Sequence, residues 1–195
     1  MATEAKLVNK KLSNYEGFLA VTDDGMVLMG KRAFGARRIT NVGGGTVDAK
    51  DEVKGDAAMR EFQEETFNQV GFVLSYKCQV YERVGTQVHS FLYRAEIKGK
   101  VDLEQLNATA AKHLAKLEQL KADPTTTPLA LEECKRYTEF DAFYLVSLDK
   151  LETAAHTYYS MSDKGTKATT PVHLDGVGNL EPSFCCLLAN PIKSE

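Results

Sequence analysis

Residues 42–66 read Val42-Gly43-Gly44-Gly45-Thr46-Val47-Asp48-Ala49-Lys50-Asp51-Glu52-Val53-Lys54-Gly55-Asp56-Ala57-Ala58-Met59-Arg60-Glu61-Phe62-Gln63-Glu64-Glu65-Thr66. Consecutive glycines reach backbone angles closed to other residues and let a ligand or metal come close to the main chain. Behind a short charged loop, residues 56–65 read as a helix, with Asp56 as its N-cap and Ala57, Ala58 and Met59 as good helix formers. Glu61, Glu64 and Glu65 then stand at i, i+3 and i+4 and share one face. Met59, Phe62 and Thr66 fall on the other side, where they can pack on a sheet. Crowded carboxylates repel one another unless a cation neutralises them, and hard divalent ions such as Mg²⁺ or Mn²⁺ take oxygen ligands of this kind. For three glutamates by themselves a solvated acidic face is the plainer reading. It leaves the glycine triplet and the Arg60-Glu61 pair unexplained.

At this point the residues resemble the signature of the Nudix hydrolase family, which runs Gly, Glu, then Arg-Glu-apolar-any-Glu-Glu-any-Gly-apolar. Gly45, Glu52, Arg60, Glu61, Phe62, Glu64 and Glu65 match it within residues 43–66. Two features depart from the pattern. The loop from Gly45 to Glu52 is one residue longer than usual, and Phe67 stands where the family has glycine. Glycine there ends the helix in the left-handed conformation, which a bulky aromatic tolerates poorly. The sequence therefore predicts a helix that continues through Phe67, Asn68 and Gln69 and stops at Gly71.

The resemblance implies a Nudix-type α/β/α sandwich with a mixed sheet and a catalytic loop-helix. It implies hydrolysis of a nucleoside diphosphate linked to another group, with ADP-ribose or a nucleotide sugar preferred among several open substrates. Metal falls to Glu61, Glu64, Glu65 and the Gly45 carbonyl, with Mg²⁺ or Mn²⁺ as cofactor. Arg60 is cast as an organiser that pairs with Glu52 or with a helix carboxylate. The base that takes a proton from water is Glu64 or an acidic residue sent in from a loop, for which Glu139 is the first candidate and Glu133 the second. A reading from another class stays open: a Nudix-like module that senses a nucleotide without cleaving it. Such a module needs only the pocket, and the three helix carboxylates favour the enzyme.

With 195 residues, 43% hydrophobic and 26% charged, the chain fits one domain spanning 1–195 with a sizeable core. A net charge of -3 gives no reason to expect nucleic-acid binding, so substrate anions must be met by local basic residues or by metal. Cys78, Cys134, Cys185 and Cys186 form no Cys-x-x-Cys pair and His89, His113, His156 and His173 are scattered, so no zinc site is expected. The sequence shows no membrane-length apolar run and no signal-peptide core, and Cys185-Cys186 in an apolar run reads as buried thiols of a reducing compartment. These point to the cytoplasm. Asn107-Ala108-Thr109 matches a glycosylation sequon and is read as coincidence.

Outward from the signature, residues 17–22 and 26–32 flank Asp23-Asp24-Gly25 and read as a hairpin. Its second arm delivers Lys31 and Arg32, followed by Arg37 and Arg38, a basic cluster able to hold a pyrophosphate or a terminal sugar or base. Short strands are expected at 39–42, 72–76 and 79–84, a turn at Gly85-Thr86, and an alternating strand at 87–97 with His89 beside the substrate pocket rather than on a metal. Leu103, Leu106, Ala110, Leu114, Leu117 and Leu120 mark an amphipathic helix over 102–122, an insertion relative to a compact Nudix core. Three roles are open to it: covering the sheet, capping the site, or forming a homodimer contact. Residues 142–146 read as a closing strand followed by a Leu-Asp-x-Leu turn, and residues 160–178 as loop. Tyr158 and Tyr159 are core or base-stacking candidates, and Glu181-Pro182-Ser183 opens a last apolar helix through Leu188.

Overall fold

The Asp23-Asp24-Gly25 turn, with Gly25 at φ 78°, joins β1 (Ser13–Val21) to β2 (Met26–Arg32) in a computed structural model that describes residues 13–47, 55–74, 80–84, 89–161 and 172–189. The hairpin is antiparallel, but β1 pairs on its other edge in parallel with β7 (His89–Lys98), which makes the sheet mixed. β2 also carries β3 (Ile39–Asn41) and β8 (Phe140–Ser147), both antiparallel. β7 carries β5 (Gly71–Leu74) and β6 (Val80–Val84), and the short β4 (Gly44–Gly45) lies against β1, completing an 8-stranded sheet.

Side chains alternate across this sheet, and both faces are covered. Leu19, Val21, Val27, Met29, Leu92 and Val146 meet α4 (Leu148–Met161) and α5 (Pro182–Leu188) through Leu151, Ala155, Tyr158, Phe184 and Cys185. Phe18, Ala20, Leu28, Ala95, Ile97 and Phe143 meet α1 (Asp56–Glu65) and α2 (Leu103–Ala122) through Ala58, Phe62, Leu106 and Ala110. Strands buried on both sides read as continuous apolar runs, which is why 18–21 and 27–29 carry no polar alternation. Full burial of side chains such as Phe18, Leu19, Leu28 and Phe62 contributes roughly 2 kcal/mol each. The expected α/β/α sandwich with a mixed sheet is the fold observed.

Some elements lie where the sequence places none. α3 (Pro128–Lys135) follows α2, with Thr127 accepting the Ala130 N–H at 3.2 Å. The Leu-Asp-x-Leu segment starts the 14-residue α4 rather than a turn, burying Tyr158 and leaving Tyr159 exposed. Within the stretch read as loop, β9 (His173–Leu174) and β10 (Gly178–Asn179) form a small hairpin. The Gly85-Thr86 turn lies outside the described residues. Among the described residues no helix is long and apolar enough to cross a membrane. Cys134 and Cys185 are buried thiols.

Both ends of α1 differ from expectation. Its N-cap is Gly55 at φ 91°, with Asp56 as the first helical residue, and the Gly55 N–H donates to the buried Glu16 carboxylate at 2.9 Å. A side chain from β1 thus replaces the local cap. At the other end α1 stops at Glu65, and Phe67 and Asn68 themselves adopt left-handed angles, φ 56° and 57°. Tertiary packing explains the exception. The Phe67 ring stacks on His113 of α2 with centroids 5.0 Å apart and meets Phe143 edge-on at 6.1 Å. Aromatic pairs of this kind offset a left-handed penalty of about 1–2 kcal/mol.

α2 covers the sheet. Asp102 caps it by accepting the Gln105 N–H at 2.9 Å, and Leu106, Ala110 and Leu117 are buried. Asn107 fixes the helix to β8: its Oδ1 accepts the Phe143 N–H at 2.6 Å and its Nδ2 donates to the Phe143 carbonyl at 3.4 Å. The sequon asparagine therefore serves a strand. Asn107→Ala, which strands the Phe143 N–H, should cost about 1–3 kcal/mol in urea unfolding. Phe67→Ala keeps the strained backbone and loses the ring, so it should be less stable than Phe67→Gly by about 1 kcal/mol. Equal stability of those two variants would contradict the role given to the left-handed turn.

Candidate functional site

Helix α1 is seated by the glycine corner. Gly43 lies at φ 78°, and a Cβ there would stand 2.6 Å from the Cβ of Phe62. At Gly45 a Cβ would stand 2.5 Å from Glu61 Cγ, so only glycine lets the Glu61 side chain lie on the β4 backbone. Phe62 packs into an aromatic cluster with Phe18 and Phe72 at centroid separations of 5.7 and 5.0 Å. The helix is held by its apolar face and by the absence of side chains opposite it.

This seating divides the three glutamates. Glu61 and Glu64 stay half-buried at the rim, while Glu65, expected on the same open face, turns into the core and is 3% exposed. One Glu65 oxygen accepts the Gly43 N–H at 2.5 Å, and the other, Oε1, is buried with no hydrogen-bond partner. Burial above all, then the charge of Glu139, hold Glu65 well above the ordinary carboxylate range; the Gly43 N–H opposes this, and the charge of Glu61 and a hydrogen bond with the Glu139 carboxyl, which the protonated form can make, add to it. Burial also raises Glu61; Arg60 opposes that shift, and the charges of Glu64 and Glu139 add to it. Arg60 pairs with Glu61 Oε1 at 2.5 Å, a helix carboxylate of the kind expected, and reaches the Thr46 carbonyl at 3.5 Å. Glu52 lies outside the described residues.

Glu139, from the turn before β8, is brought beside Glu65 and Glu61, whereas Glu133 is exposed on α3. Among the described residues no group of three or more Asp, Glu, His or Cys is arranged to hold a metal ion. The carboxylates are instead divided among Arg60, the Gly43 N–H and Arg32, which pairs with Glu139 at 2.5 Å. The chemistry of the donors nonetheless fits a hard cation. All are oxygen, they repel one another, and Glu65 Oε1 is an orphaned buried acceptor that a positive charge would satisfy.

The four basic residues separate. Arg32 stays at the carboxylates, but Arg37 pairs with Asp141, Arg38 reaches Glu181 at 3.4 Å, and Lys31 sits half-buried in register with Ile39 and Ala142. Arg32 also lines a cavity of about 220 Å³ with Tyr15, Thr40, Asn41, Ser90, Ser183, Phe184 and Leu187. Asn41 Oδ1 accepts from the Tyr15 hydroxyl at 3.2 Å and from Thr40 Oγ1 at 3.1 Å, which leaves the buried Asn41 Nδ2 without a partner. Burial pushes the Tyr15 hydroxyl up to about 12, so it remains a neutral donor. Sequence reading missed Tyr15, Glu16 and Asn41. The one available signal was the position of Asn41, two residues before Gly43 on the strand leading into the glycine corner.

No protein-family profile matches this chain, and no curated protein matches it. Among solved structures it is similar to the DR0079 protein of Deinococcus radiodurans, at 11% identity over 80% of this chain and 79% of that one, TM-score 0.40. It is similar to the MutT protein of Methanosarcina mazei Go1, at 16% identity over 75% and 85%, TM-score 0.41. The E. coli ORF135 protein gives 15% identity over 75% and 83%, TM-score 0.38.

A carboxylate raised in the folded state binds more protons there than in the unfolded chain, so its stabilising contribution is full at low pH and is lost as pH rises through the folded value. In EDTA, Glu65→Gln should therefore match the wild type below the ordinary carboxylate range and exceed it in stability at pH 8, since glutamine keeps an acceptor for the Gly43 N–H. Urea midpoints at the two pH values measure this. A wild type more stable than the variant at pH 8 would show that the buried charge is already answered.

Proposed function

We propose that the chain is a Nudix-type pyrophosphohydrolase that uses Mg²⁺ or Mn²⁺ to cleave the phosphoanhydride of a nucleoside diphosphate linked to another group. One observation carries the reading: Glu65 buries a carboxylate with an orphaned oxygen, beside Glu61 and Glu139, at the glycine corner. A deep carboxylate answered by a single N–H and crowded by two further carboxyl groups is costly when ionised unless something positive completes it. The ion would be held by Glu61, Glu64 and Glu65 with the Gly45 carbonyl, and when bound it supplies charge neutralisation on phosphate oxygens and a more acidic water.

The chain's own groups do the rest. The Gly43 N–H fixes Glu65 and Arg60 fixes Glu61, so two of the carboxylates need no reorganisation when substrate arrives. Hydrolysis joins water oxygen to phosphorus and breaks the bridging P–O bond, leaving two phosphate products. The proton of that water passes to a carboxylate oxygen of Glu64 or Glu139. Arg32, already on Glu139, is placed to meet negative charge on the departing phosphate. Lys31, Arg37 and Arg38 remain candidates for more distant parts of the substrate. The hydroxyls of Tyr15, Ser90 and Ser183 with the free Asn41 amide suit a hydroxylated group, in keeping with ADP-ribose or a nucleotide sugar.

The division of the carboxylates among Arg60, Gly43 and Arg32 favours a second reading, a sensor that binds a nucleotide and leaves it intact. A product-resolved screen of ADP-ribose, nucleotide sugars, dinucleoside polyphosphates, NADH and nucleoside triphosphates with Mg²⁺ or Mn²⁺ separates the two. Binding without product favours the sensor. For the enzyme, Glu64→Gln should lower kcat by at least about 100-fold with the near-UV circular dichroism unchanged. Full activity in that variant would remove Glu64 from the mechanism.

A further inference from the structure

We propose that α2 and α3 build a subsite for the second end of the substrate, and that this end is a planar ring carrying phosphate, such as a nucleoside monophosphate unit. The proposal rests on the hydrolase reading for where the diphosphate lies. A groove of about 390 Å³ opens between the loop after β2 and the C-terminal turns of α2 and α3. That volume is within the range of small-molecule sites. Its walls include Arg32, Phe34, Leu117, Lys121, Lys135 and Glu139.

Three features select the ligand. Phe34 is a large aromatic left 51% exposed, and Lys121 Nζ stands over its ring, 5.3 Å from the centroid. A flat ring lying on Phe34 therefore carries its own phosphate to a cation already in place. Among the described residues the ion-pair partners of Lys121 and Lys135 are the exposed Glu118 and Glu132, one helical turn back and each at 2.7 Å. Exposed pairs of this kind are weak and yield readily to a phosphate. Finally, the groove wall itself carries three cations, Arg32, Lys121 and Lys135, against one carboxylate, Glu139, with the exposed Glu118 and Glu132 outside it, whereas Glu61, Glu64 and Glu65 gather on the other side of Glu139.

Arg32 lines this groove and the 220 Å³ cavity alike, and its partner Glu139 is the carboxylate beside Glu65. A diphosphate at the carboxylates is then flanked by two recesses. One offers hydroxyls and an amide, the other an aromatic face and cations. A substrate with an organic group on each side of its phosphates fills both; a nucleoside triphosphate leaves one empty. The segment that a minimal core does without is, on this proposal, what selects a two-ended substrate.

The test is titration of the full-length protein with AMP in EDTA, followed by calorimetry or by amide chemical shifts. Phe34→Ala and the Lys121→Ala/Lys135→Ala pair should each weaken AMP at least about tenfold, and adenosine and ribose 5-phosphate should each bind more weakly than AMP. All three residues are exposed, so the variants should fold as the wild type does. Absence of AMP binding by the wild type, or equal affinity in both variants, overturns the subsite. Its failure is distinguishable from failure of the hydrolase reading. Cleavage with KM unchanged in both variants leaves the hydrolase and removes the subsite. AMP binding that depends on Phe34 and the lysines, with no substrate of the panel cleaved, leaves the subsite and removes the hydrolase.

Discussion

A carboxylate enclosed by apolar side chains loses its hydration, and the protein must either protonate it or place positive charge and N–H groups around it. Glu65 meets this condition at the end of α1, where the Gly43 N–H answers one oxygen and leaves the other unanswered. Much of the surrounding architecture serves the seating that creates this situation. Gly43 must be left-handed and bare so that Phe62 can close on it, and Gly45 must be bare so that Glu61 can lie against β4. Glu16 reaches from β1 to take the Gly55 N–H, so the helix is pinned at its start as well. Moving α1 outward would relieve Glu65 but would expose the Phe18–Phe62–Phe72 cluster.

The second layer of the same argument is electrostatic. Burial raises the proton affinity of Glu65 and Glu61, the charge of Glu139 adds to both shifts, and the guanidinium of Arg60 opposes the one at Glu61, while Arg32 pairs with Glu139 itself. Arg60 neighbours Glu61 on the helix, but Arg32 and Glu139 are separated by more than a hundred residues and meet only because β2 and β8 are paired. Sheet register thus decides which cation joins the carboxylates. Arg37 and Arg38, a few residues further on, are carried past the site to Asp141 and Glu181.

The helical segment after β7 is joined to this site by contacts of mixed kind. Phe67 stacks on His113, Asn107 takes both backbone groups of Phe143, and Leu106 and Ala110 enter the same core as Phe62. Aromatic stacking lets a phenylalanine occupy a backbone conformation that the local sequence argues against. The end of α1 and the first half of α2 therefore form one packing unit, and the C-terminal turns of α2 and α3 are held beside Glu139.

The sequence by itself determined the elements whose cause is local or periodic. The Asp23-Asp24-Gly25 turn, the apolar runs of β1 and β2, the leucine spacing of α2 and the Pro182 start of α5 could all be read, because each depends on backbone preference or side-chain period. The clustering of Glu61 and Glu64 on one helix, with Arg60 beside them, was legible for the same reason. Tertiary structure alone decided that Glu65 faces inward, that Arg32 rather than Lys31, Arg37 or Arg38 joins the carboxylates, that Phe67 ends α1 left-handed, and that Tyr15 and Asn41 line a cavity. Each of these follows from contacts between residues distant in sequence, where burial and packing outweigh local preference, and no spacing along the chain encodes such contacts.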